Sequence, residues 1–331
     1  MNTNPKIAVF GGGSWATAIV KMLCENLDQV GWYMRNQSAI DYIKENEHNP
    51  NYISSATFNV DQLFLSSDIN EMVKYADILI FSIPSAFVKA ELDTITEPYT
   101  SKTVFSAIKG IIPESGLIVG EHFNKILNVP IENIGVITGP CHAEEVAMER
   151  LSYLTVACKD EEKAKLVSKY ISSHYIKTKT SDDIIGAEYA AMLKNIYAIA
   201  AGIAHGLGYG DNFQAVLMSN SIREIKRFIK KVHKMKRNIN NSAYLGDLLV
   251  TGYSVFSRNR MFGNMIGKGY TVKSAMMEMS MIAEGYYATK SAYLLIKKNK
   301  TNTPIIDAVY QILYENKNPK KVFNKLTELL D

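Results

Sequence analysis

A lysine in an otherwise apolar segment is the first residue of this sequence that could do acid–base chemistry. Between Tyr189 and Ala204 only Lys194 and Asn195 are strongly polar, and alanine, β-branched and aromatic residues cover every face of the predicted helix. Such a helix is buried on all sides, and it is too short and too interrupted to span a membrane. A buried lysine needs a carboxylate partner, or its pKa falls until it becomes a usable acid or base. The alternative is a structural lysine whose ammonium group reaches out of the core to water.

Four further polar residues could act together with this lysine. Lys109 follows a predicted strand, at the edge where open α/β sheets bind ligands, so it either binds an anion or a carbonyl group or is a solvated loop residue. Asp247 is a candidate carboxylate partner for Lys194. Arg258 has a planar guanidinium group suited to phosphate, and the amide of Asn259 can add another hydrogen bond.

A second chemical pattern lies near the N-terminus, where the apolar segment KIAVF runs into GGGSWA and then into a helical pattern. The order of strand, glycine turn and helix matches G-x-G-x-x-G/A, with Ala16 in the last place. Gly11 permits the tight turn, and Gly13 lets the backbone approach a pyrophosphate at the helix N-terminus. We therefore predict a dinucleotide-binding site here.

The residue after the second strand bears on the choice of cofactor. Sites that prefer NAD usually carry an acid about 20 residues after the glycines, where it holds the ribose hydroxyls. This chain has Arg35 instead, and arginine can accept a 2′-phosphate and stack on adenine. The sequence therefore favours NADPH, or use of both NADP and NAD, unless Arg35 is a surface residue and the preference is set elsewhere.

Alternation of strands and helices up to residue 182 predicts the fold class. We predict strands at Lys6–Phe10, Val30–Met34, Asp77–Pro84, Thr103–Ala107, Ile134–Thr138, Leu154–Ala157 and Tyr175–Thr178. Helical periodicity then continues to the end, so we expect an α/β protein in which residues 1–182 form a Rossmann-type doubly wound sheet and residues 183–331 form an all-α substrate and catalytic domain. We expect the helix that carries Lys194 to end at Gly202, and Thr303 and Pro304 to begin the helix Ile305–Tyr314.

A basic segment, Arg223–Arg237, carries nine basic residues including His233. It could bind nucleic acid or an anionic membrane face. Apolar residues recur at helical spacing beneath the charges, which favours an amphipathic helix with a solvated basic face.

The amino-acid composition limits the classes of protein to which this chain can belong. The chain has 331 residues, 47% of them hydrophobic and 21% charged, with a net charge of +4, which argues against disorder and suits an anionic ligand. Cys24, Cys141 and Cys158 lack metal-ligand spacing, so we expect no metal site and a reducing, cytoplasmic setting. The start of the chain has no apolar signal core, and we expect neither membrane insertion nor nucleic-acid binding. A homodimer is compatible with the sequence, which does not determine the oligomeric state.

Several blocks, taken in order, resemble the bacterial NAD(P)-dependent glycerol-3-phosphate dehydrogenases almost from end to end. These blocks are GGGSWATA, SAIKGI, GPCHAEEVA, TSDDIIGAEYAAMLKNIYAIAAGIAHGLGYGDN, LGDLLVTGYSVFSRNRMFG and AEGYYATKSAYLL. The resemblance implies an oxidoreductase that interconverts dihydroxyacetone phosphate and sn-glycerol 3-phosphate, usually in the reducing direction for phospholipid synthesis. Another hydroxyacid dehydrogenase on the same two-domain plan remains an alternative, as does an NAD(P)-sensing or nucleic-acid-binding protein without activity.

The resemblance also assigns roles to residues. It implies general acid–base catalysis by Lys194, assisted by Lys109 and Asp247. Besides the glycines of the turn, the cofactor contacts it implies are Ser14, Trp15, Arg35, Lys109, Ala143, Arg258, Ile282 and Glu284. The substrate contacts it implies are Lys109, Gly139, Cys141, Lys194, Asp247, Ser257, Arg258 and Asn259.

The chain departs from the family pattern at four places. Ala16 replaces a glycine, Cys141 replaces a serine or threonine, and His142 replaces an aromatic residue. The segment that ends in Gly246 and Asp247 reads NINNSAYLGDL, where the family usually has a glycine- and leucine-rich loop. We therefore expect the substrate hydrogen bond of the hydroxyl that Cys141 replaces to be missing, and the substrate lid or the partner surface to differ from that of the family.

Overall fold

The computed structural model describes residues 5–279 and 283–331 and divides the chain into two compact units. The sheet unit comprises Met1–Ile108 and Leu117–Ile184, and the helical unit comprises Lys109–Gly116 and Ile185–Asp331. The assignment of cofactor binding to residues 1–182 and of catalysis to residues 183–331 remains a prediction. In the described part of the chain, no helix combines the length and apolar character needed to cross a membrane.

A largely parallel sheet forms the centre of the sheet unit, as the sequence predicts. Its strands are β1 Ile7–Phe10, β2 Val30–Tyr33, β3 Leu63–Ser66, β4 Ile78–Phe81, β5 Thr103–Ser106, β8 Ile134–Thr138, β9 Ser152–Cys158 and β10 Ile176–Ser181. Two short strands, β6 Ile111–Ile112 and β7 Leu117–Ile118, lie outside this sheet. The order is β10-β9-β8-β5-β4-β1-β2-β3, and only β8 and β9 pair antiparallel. The inner strands are continuous apolar runs because helices cover both faces of a parallel sheet.

Seven helices of the sheet unit connect these strands in the described residues. They are α1 Ser14–Cys24, α2 Gln37–Asn46, α3 Ile69–Tyr75, α4 Val88–Leu92, α5 Val119–Lys125, α6 Ala143–Ala147 and α7 Glu161–Ile171. The sequence analysis missed β3, an edge strand of four residues whose two middle residues are only half-buried. A half-buried edge strand lacks the continuous apolar run that reveals an inner strand.

Helices make up almost all of the helical unit. They are α8 Ile184–Gly206, α9 Asp211–Val232, α10 Asp247–Tyr253, α11 Arg258–Gly267, α12 Val272–Glu278, α13 Glu284–Asn299, α14 Pro304–Leu313 and α15 Pro319–Thr327, with a π-helical turn at Ser242–Gly246. The predicted fold class, a Rossmann-type sheet followed by a helical domain, is confirmed.

One expectation about helix ends is wrong. The helix α8 does not end at Gly202 but continues to Gly206, because Gly202 is needed for packing and not for a turn. Thr303 and Pro304 begin α14 as expected, but the side chain of Thr303 makes no capping hydrogen bond. The carboxylate of Glu224 takes that place, since its Oε1 accepts a hydrogen bond of 2.8 Å from the backbone amide of Ile305.

Helices α8 and α11 cross with their backbones in contact. A Cβ atom at Gly202 would overlap the carbonyl oxygen of Arg260, and one at Gly263 would overlap the carbonyl oxygen of Ile199. Gly206 and Gly267 meet the opposite helix in the same way. The crossing holds the start of α11 close to the helix that carries Lys194.

We expect Gly202→Ser to destabilise the protein by about 3 kcal/mol or more, because the new side chain meets backbone that cannot rotate away. Gly210→Ser is the matched control. A Cβ atom at Gly210 meets no atom within 4 Å, and this residue already occupies the N-cap position of α9, where serine is favoured. Urea denaturation of both variants tests the crossing, and equal midpoints for the two would contradict it.

Candidate active site

The glycine turn of the sheet unit has the geometry that a dinucleotide needs. Gly11 has a φ angle of +133°, and a Cβ atom there would overlap the carbonyl oxygen of Ser82. The indole nitrogen of Trp32 donates a hydrogen bond of 2.8 Å to the carbonyl oxygen of Gly11. The amide nitrogen of Asn49 likewise donates to the carbonyl oxygen of Gly12 at 3.0 Å. The turn is therefore held in place by two buried side chains that the sequence analysis did not identify.

The start of α1 fits a bound pyrophosphate. Gly13 is the N-cap residue, no side chain caps it, and a Cβ atom there would meet nothing within 4 Å. The first turn, which begins with Ser14 and Trp15, carries no acidic residue. The positive end of the helix dipole and the absence of an acidic residue in this turn favour an anion at the helix end.

Arg35 lies at the end of β2 with its side chain 81% exposed. Its guanidinium group is 3.4 Å from a carboxylate oxygen of Glu91, whose other oxygen accepts a hydrogen bond of 2.8 Å from the hydroxyl of Tyr33. Because the guanidinium group is exposed to water, this single ion pair is weak, although the side chain of Glu91 is only 12% exposed. Arg35 can therefore leave Glu91 for a phosphate group at little cost.

Three other predicted site residues lie in the sheet unit, around the end of β8. Gly139 has a φ angle of +136°, and a Cβ atom there would be 2.6 Å from the carbonyl oxygen of Tyr153. Cys141 is buried, and Ala143 begins α6. Among the described residues no group of three or more His, Cys, Asp or Glu side chains could hold a metal ion.

In the helical unit, Lys194 and Asp247 form a buried ion pair. The side chain of Lys194 is 5% exposed and that of Asp247 is 1% exposed, and the lysine Nζ donates a hydrogen bond to Oδ1 of the aspartate. Asp247 is the first residue of α10, directly after the π-helical turn. The alternative in which the ammonium group reaches water is therefore wrong.

Burial sets the protonation of this lysine. It lowers the pKa of Lys194 to about 7, against the opposing effect of the Asp247 carboxylate. The nearby positive charge of Lys109 makes a smaller contribution to the same lowering of the Lys194 pKa. A lysine whose pKa lies near neutrality can both give and take a proton at the pH of a cell.

A chain of amide hydrogen bonds connects the segments around this pair. The backbone amide of Gly285 donates to Oδ1 of Asn259 at 2.8 Å, and Nδ2 of Asn259 donates to Oδ1 of Asn195 at 3.0 Å. Nδ2 of Asn195 then donates to the carbonyl oxygen of Lys109 at 3.1 Å. These three hydrogen bonds connect α13, α11 and α8 to the backbone of Lys109. Asn195 was not among the predicted site residues, although it directly follows the lysine.

The remaining predicted residues lie at helix ends of the same unit. Ser257 is buried and caps α11, because its Oγ accepts a hydrogen bond of 3.3 Å from the backbone amide of Arg260. Arg258 and Glu284 are the first residues of α11 and α13. Ile282 lies outside the described residues.

Comparison with known proteins shows the family to which the chain belongs. Two family descriptions match: NAD-dependent glycerol-3-phosphate dehydrogenase N-terminus over residues 6–164, and the C-terminus of the same enzyme over residues 183–324. The curated glycerol-3-phosphate dehydrogenase, NAD(P)+, of Staphylococcus aureus (strain JH9) is 35% identical over 325 residues, or 98% of each chain. The chain belongs to the NAD-dependent glycerol-3-phosphate dehydrogenase family.

Solved structures of other glycerol-3-phosphate dehydrogenases share the fold. The crystal structure of the enzyme from Coxiella burnetii aligns with a TM-score of 0.90 and 26% identity, over 98% of this chain and 99% of that one. The enzyme from Saccharomyces cerevisiae aligns with a TM-score of 0.83 and 23% identity, over 97% and 99% of the two chains. The resemblance drawn from the sequence blocks is therefore confirmed at the level of the family.

Proposed function

We propose that this protein reduces dihydroxyacetone phosphate to sn-glycerol 3-phosphate with NADH or NADPH, reversibly, and so supplies glycerophospholipid synthesis. The observation that carries the proposal is the buried pair of Lys194 and Asp247 beside Lys109, in a chain of this family. A ketone reductase needs an acid near neutrality at the carbonyl oxygen, and the burial of Lys194 provides one.

Some side chains of the protein take part in proton transfer and others bind the substrate. Lys194 donates a proton to the carbonyl oxygen, and Lys109 adds positive charge where the alkoxide develops. Asp247 sets the position of the lysine and favours its protonated form. Arg258 and Asn259 hold the phosphate, so that binding far from the reacting carbon orients it. Asn259 has one N–H left for this purpose, since its other amide bonds go to Asn195 and Gly285.

The cofactor is held by the glycine turn. When bound, the reduced nicotinamide supplies a hydride to the carbonyl carbon. Gly11, Gly13, Ser14 and Trp15 hold the pyrophosphate at the start of α1. The wider cofactor set that we propose adds Arg35, Lys109, Ala143, Arg258, Ile282 and Glu284. Gly139, Cys141 and Ser257 complete the proposed substrate contacts.

A coupled assay tests the proposed activity. Oxidation of NADH and NADPH is followed with dihydroxyacetone phosphate and with a panel of small keto acids. We expect turnover with the phosphate-bearing ketone alone. Turnover confined to a keto acid would replace the proposal with the hydroxyacid dehydrogenase alternative.

Arg35→Ala tests the proposed use of NADPH. We expect the ratio of kcat/KM for NADPH to that for NADH to fall by about 10-fold to 100-fold, since a charge-assisted bond to the 2′-phosphate is lost. Arg150→Ala removes another exposed arginine of the sheet unit and serves as the control. An unchanged ratio in Arg35→Ala would remove Arg35 from the cofactor site.

A further inference from the structure

Positive charge is concentrated in the helical unit. Its residues include 22 lysines and arginines against 11 aspartates and glutamates, a net charge of +11. The sheet unit contains 15 lysines and arginines against 22 aspartates and glutamates, a net charge of −7. The whole chain, at +4, conceals this asymmetry. A chain with strongly asymmetric charge is typical of proteins that bind an anionic surface.

Much of this charge lies on one segment, which we call the lysine face: Lys226, Lys230, Lys231, Lys234 and Lys236. All five side chains are exposed. From residue 225 to residue 246 the sequence contains no aspartate or glutamate. In the part of the chain that the structure describes, Lys226, Lys230 and Lys234 have no carboxylate within salt-bridge distance. Their positive charge is therefore not neutralised locally.

The lysine face rests on a rigid support. Ile225, Phe228 and Ile229 of α9 are buried beneath it. The helix ends at Val232, so the sequence expectation of one helix through Arg237 is wrong beyond that residue. Lys234 and Lys236 therefore lie on chain without regular secondary structure that follows the helix end.

A second basic stretch borders this face. The Nε atom of Arg227 donates a hydrogen bond of 3.1 Å to the carbonyl oxygen of Asn302, just after α13. On α13, Lys290, Leu294 and Lys298 are exposed and recur four residues apart. No acidic residue occurs from residue 285 to residue 306. Basic residues thus extend from α9 to the end of α13, where Lys297 is influenced by the carboxylates of Asp307 and Glu315.

We propose that the lysine face binds the surface of an anionic phospholipid bilayer. A bilayer surface rich in anionic lipids attracts clusters of four to eight lysines and arginines. Exposed apolar side chains accompany the basic ones in both stretches: Met235 lies between Lys234 and Lys236 in the sequence, and Leu294, 61% exposed, lies four residues from both Lys290 and Lys298 on α13. Apolar groups flanked by lysines suit the boundary between headgroups and acyl chains. Contacts to the phosphates of a nucleic acid, which supply most of the affinity in non-specific binding, are made by basic and polar groups and do not need these apolar side chains.

Vesicle co-sedimentation of the full chain tests this proposal. The probes are vesicles of phosphatidylcholine alone and vesicles of phosphatidylcholine mixed with phosphatidylglycerol, each at low and at high salt. We expect binding to the anionic vesicles to exceed binding to the neutral ones by at least about tenfold, and to fall as salt rises. Equal binding to both kinds of vesicle would overturn the proposal.

Two matched triple variants distinguish binding by this local surface from binding driven by the net charge of the whole protein. Lys226→Glu/Lys230→Glu/Lys234→Glu should lose the preference for anionic vesicles. Lys44→Glu/Lys74→Glu/Lys177→Glu changes the net charge equally at exposed residues of the sheet unit and should keep it. Both triple variants should reduce dihydroxyacetone phosphate in solution at the wild-type rate. Wild-type activity would show that the two variants are folded. If the first variant fails to fold, glutamine at the same three positions replaces glutamate.

Two results would contradict the proposed partner. Equal loss in both triple variants would show that net charge alone drives the binding. Tighter binding to a DNA duplex or an RNA oligomer than to anionic vesicles, removed by the Lys226, Lys230 and Lys234 substitutions, would assign the lysine face to nucleic acid instead.

Discussion

Lys194→Ala is expected to lower kcat for dihydroxyacetone phosphate reduction by about 10²–10⁴-fold. The carbonyl oxygen then lacks its proton donor, and no exposed residue can take the place of a buried ammonium group. Cofactor affinity should not change, because the proposed pyrophosphate site lies at the glycine turn. Steady-state kinetics and fluorescence titration with NADH and NADPH measure the two effects separately.

The control for this variant is Lys268→Ala, which removes an exposed lysine of the same unit. We expect wild-type turnover from it. Thermal melting of Lys194→Ala shows whether loss of this buried ion pair unfolds the protein. Near wild-type turnover in folded Lys194→Ala would mean that another group protonates the substrate.

Asp247→Asn is expected to impair the reduction by changing the protonation of Lys194. Burial and the charge of Lys109 both lower the pKa of this lysine, and the Asp247 carboxylate is the main group that opposes them. Without the carboxylate the pKa should fall well below 7, so the lysine is neutral and cannot donate a proton at neutral pH. We expect turnover at neutral pH to fall at least about tenfold, since one pKa unit corresponds to a tenfold change in protonation.

The pH dependence distinguishes this mechanism from simple misfolding. Acidification restores the ammonium group, so Asp247→Asn should recover activity as pH falls, with its midpoint at least about one unit below that of the wild type. Asp211→Asn, at an exposed carboxylate of the same unit, should keep the wild-type profile. A loss of activity that is equal at every pH would argue for a structural role of Asp247.

The residues that do the proposed chemistry were easier to predict from the sequence than the residues that hold them in place. Lys194 stands out because its neighbours in sequence are apolar, and Gly11 and Gly13 because a strand precedes them and a helix follows. These are local patterns, which can be recognised in a single sequence. Asp247 could be proposed as a candidate partner of Lys194 because a buried ammonium group needs a carboxylate.

The residues that hold the site in place depend on distant contacts. Asn195 reaches Asn259 and Lys109, which are far from it in sequence, and Trp32 and Asn49 reach the glycine turn from other elements. Gly202 was interpreted as a helix end because its contact with Arg260 on α11 is invisible in sequence. Glu224 caps α14 across 81 residues, which no capping pattern within a segment could show.

The pH dependence of kcat/KM for dihydroxyacetone phosphate reduction by the wild-type protein tests the central claim most directly. The buried lysine must carry its proton for reduction, and burial lowers its pKa to about 7. We therefore predict a rate that is constant at acidic pH and falls tenfold per unit above about pH 7, with the fall absent from the residual activity of Lys194→Ala. A rate that stays constant up to the ordinary pKa of a lysine, or a fall near pH 7 that persists in Lys194→Ala, would contradict the account.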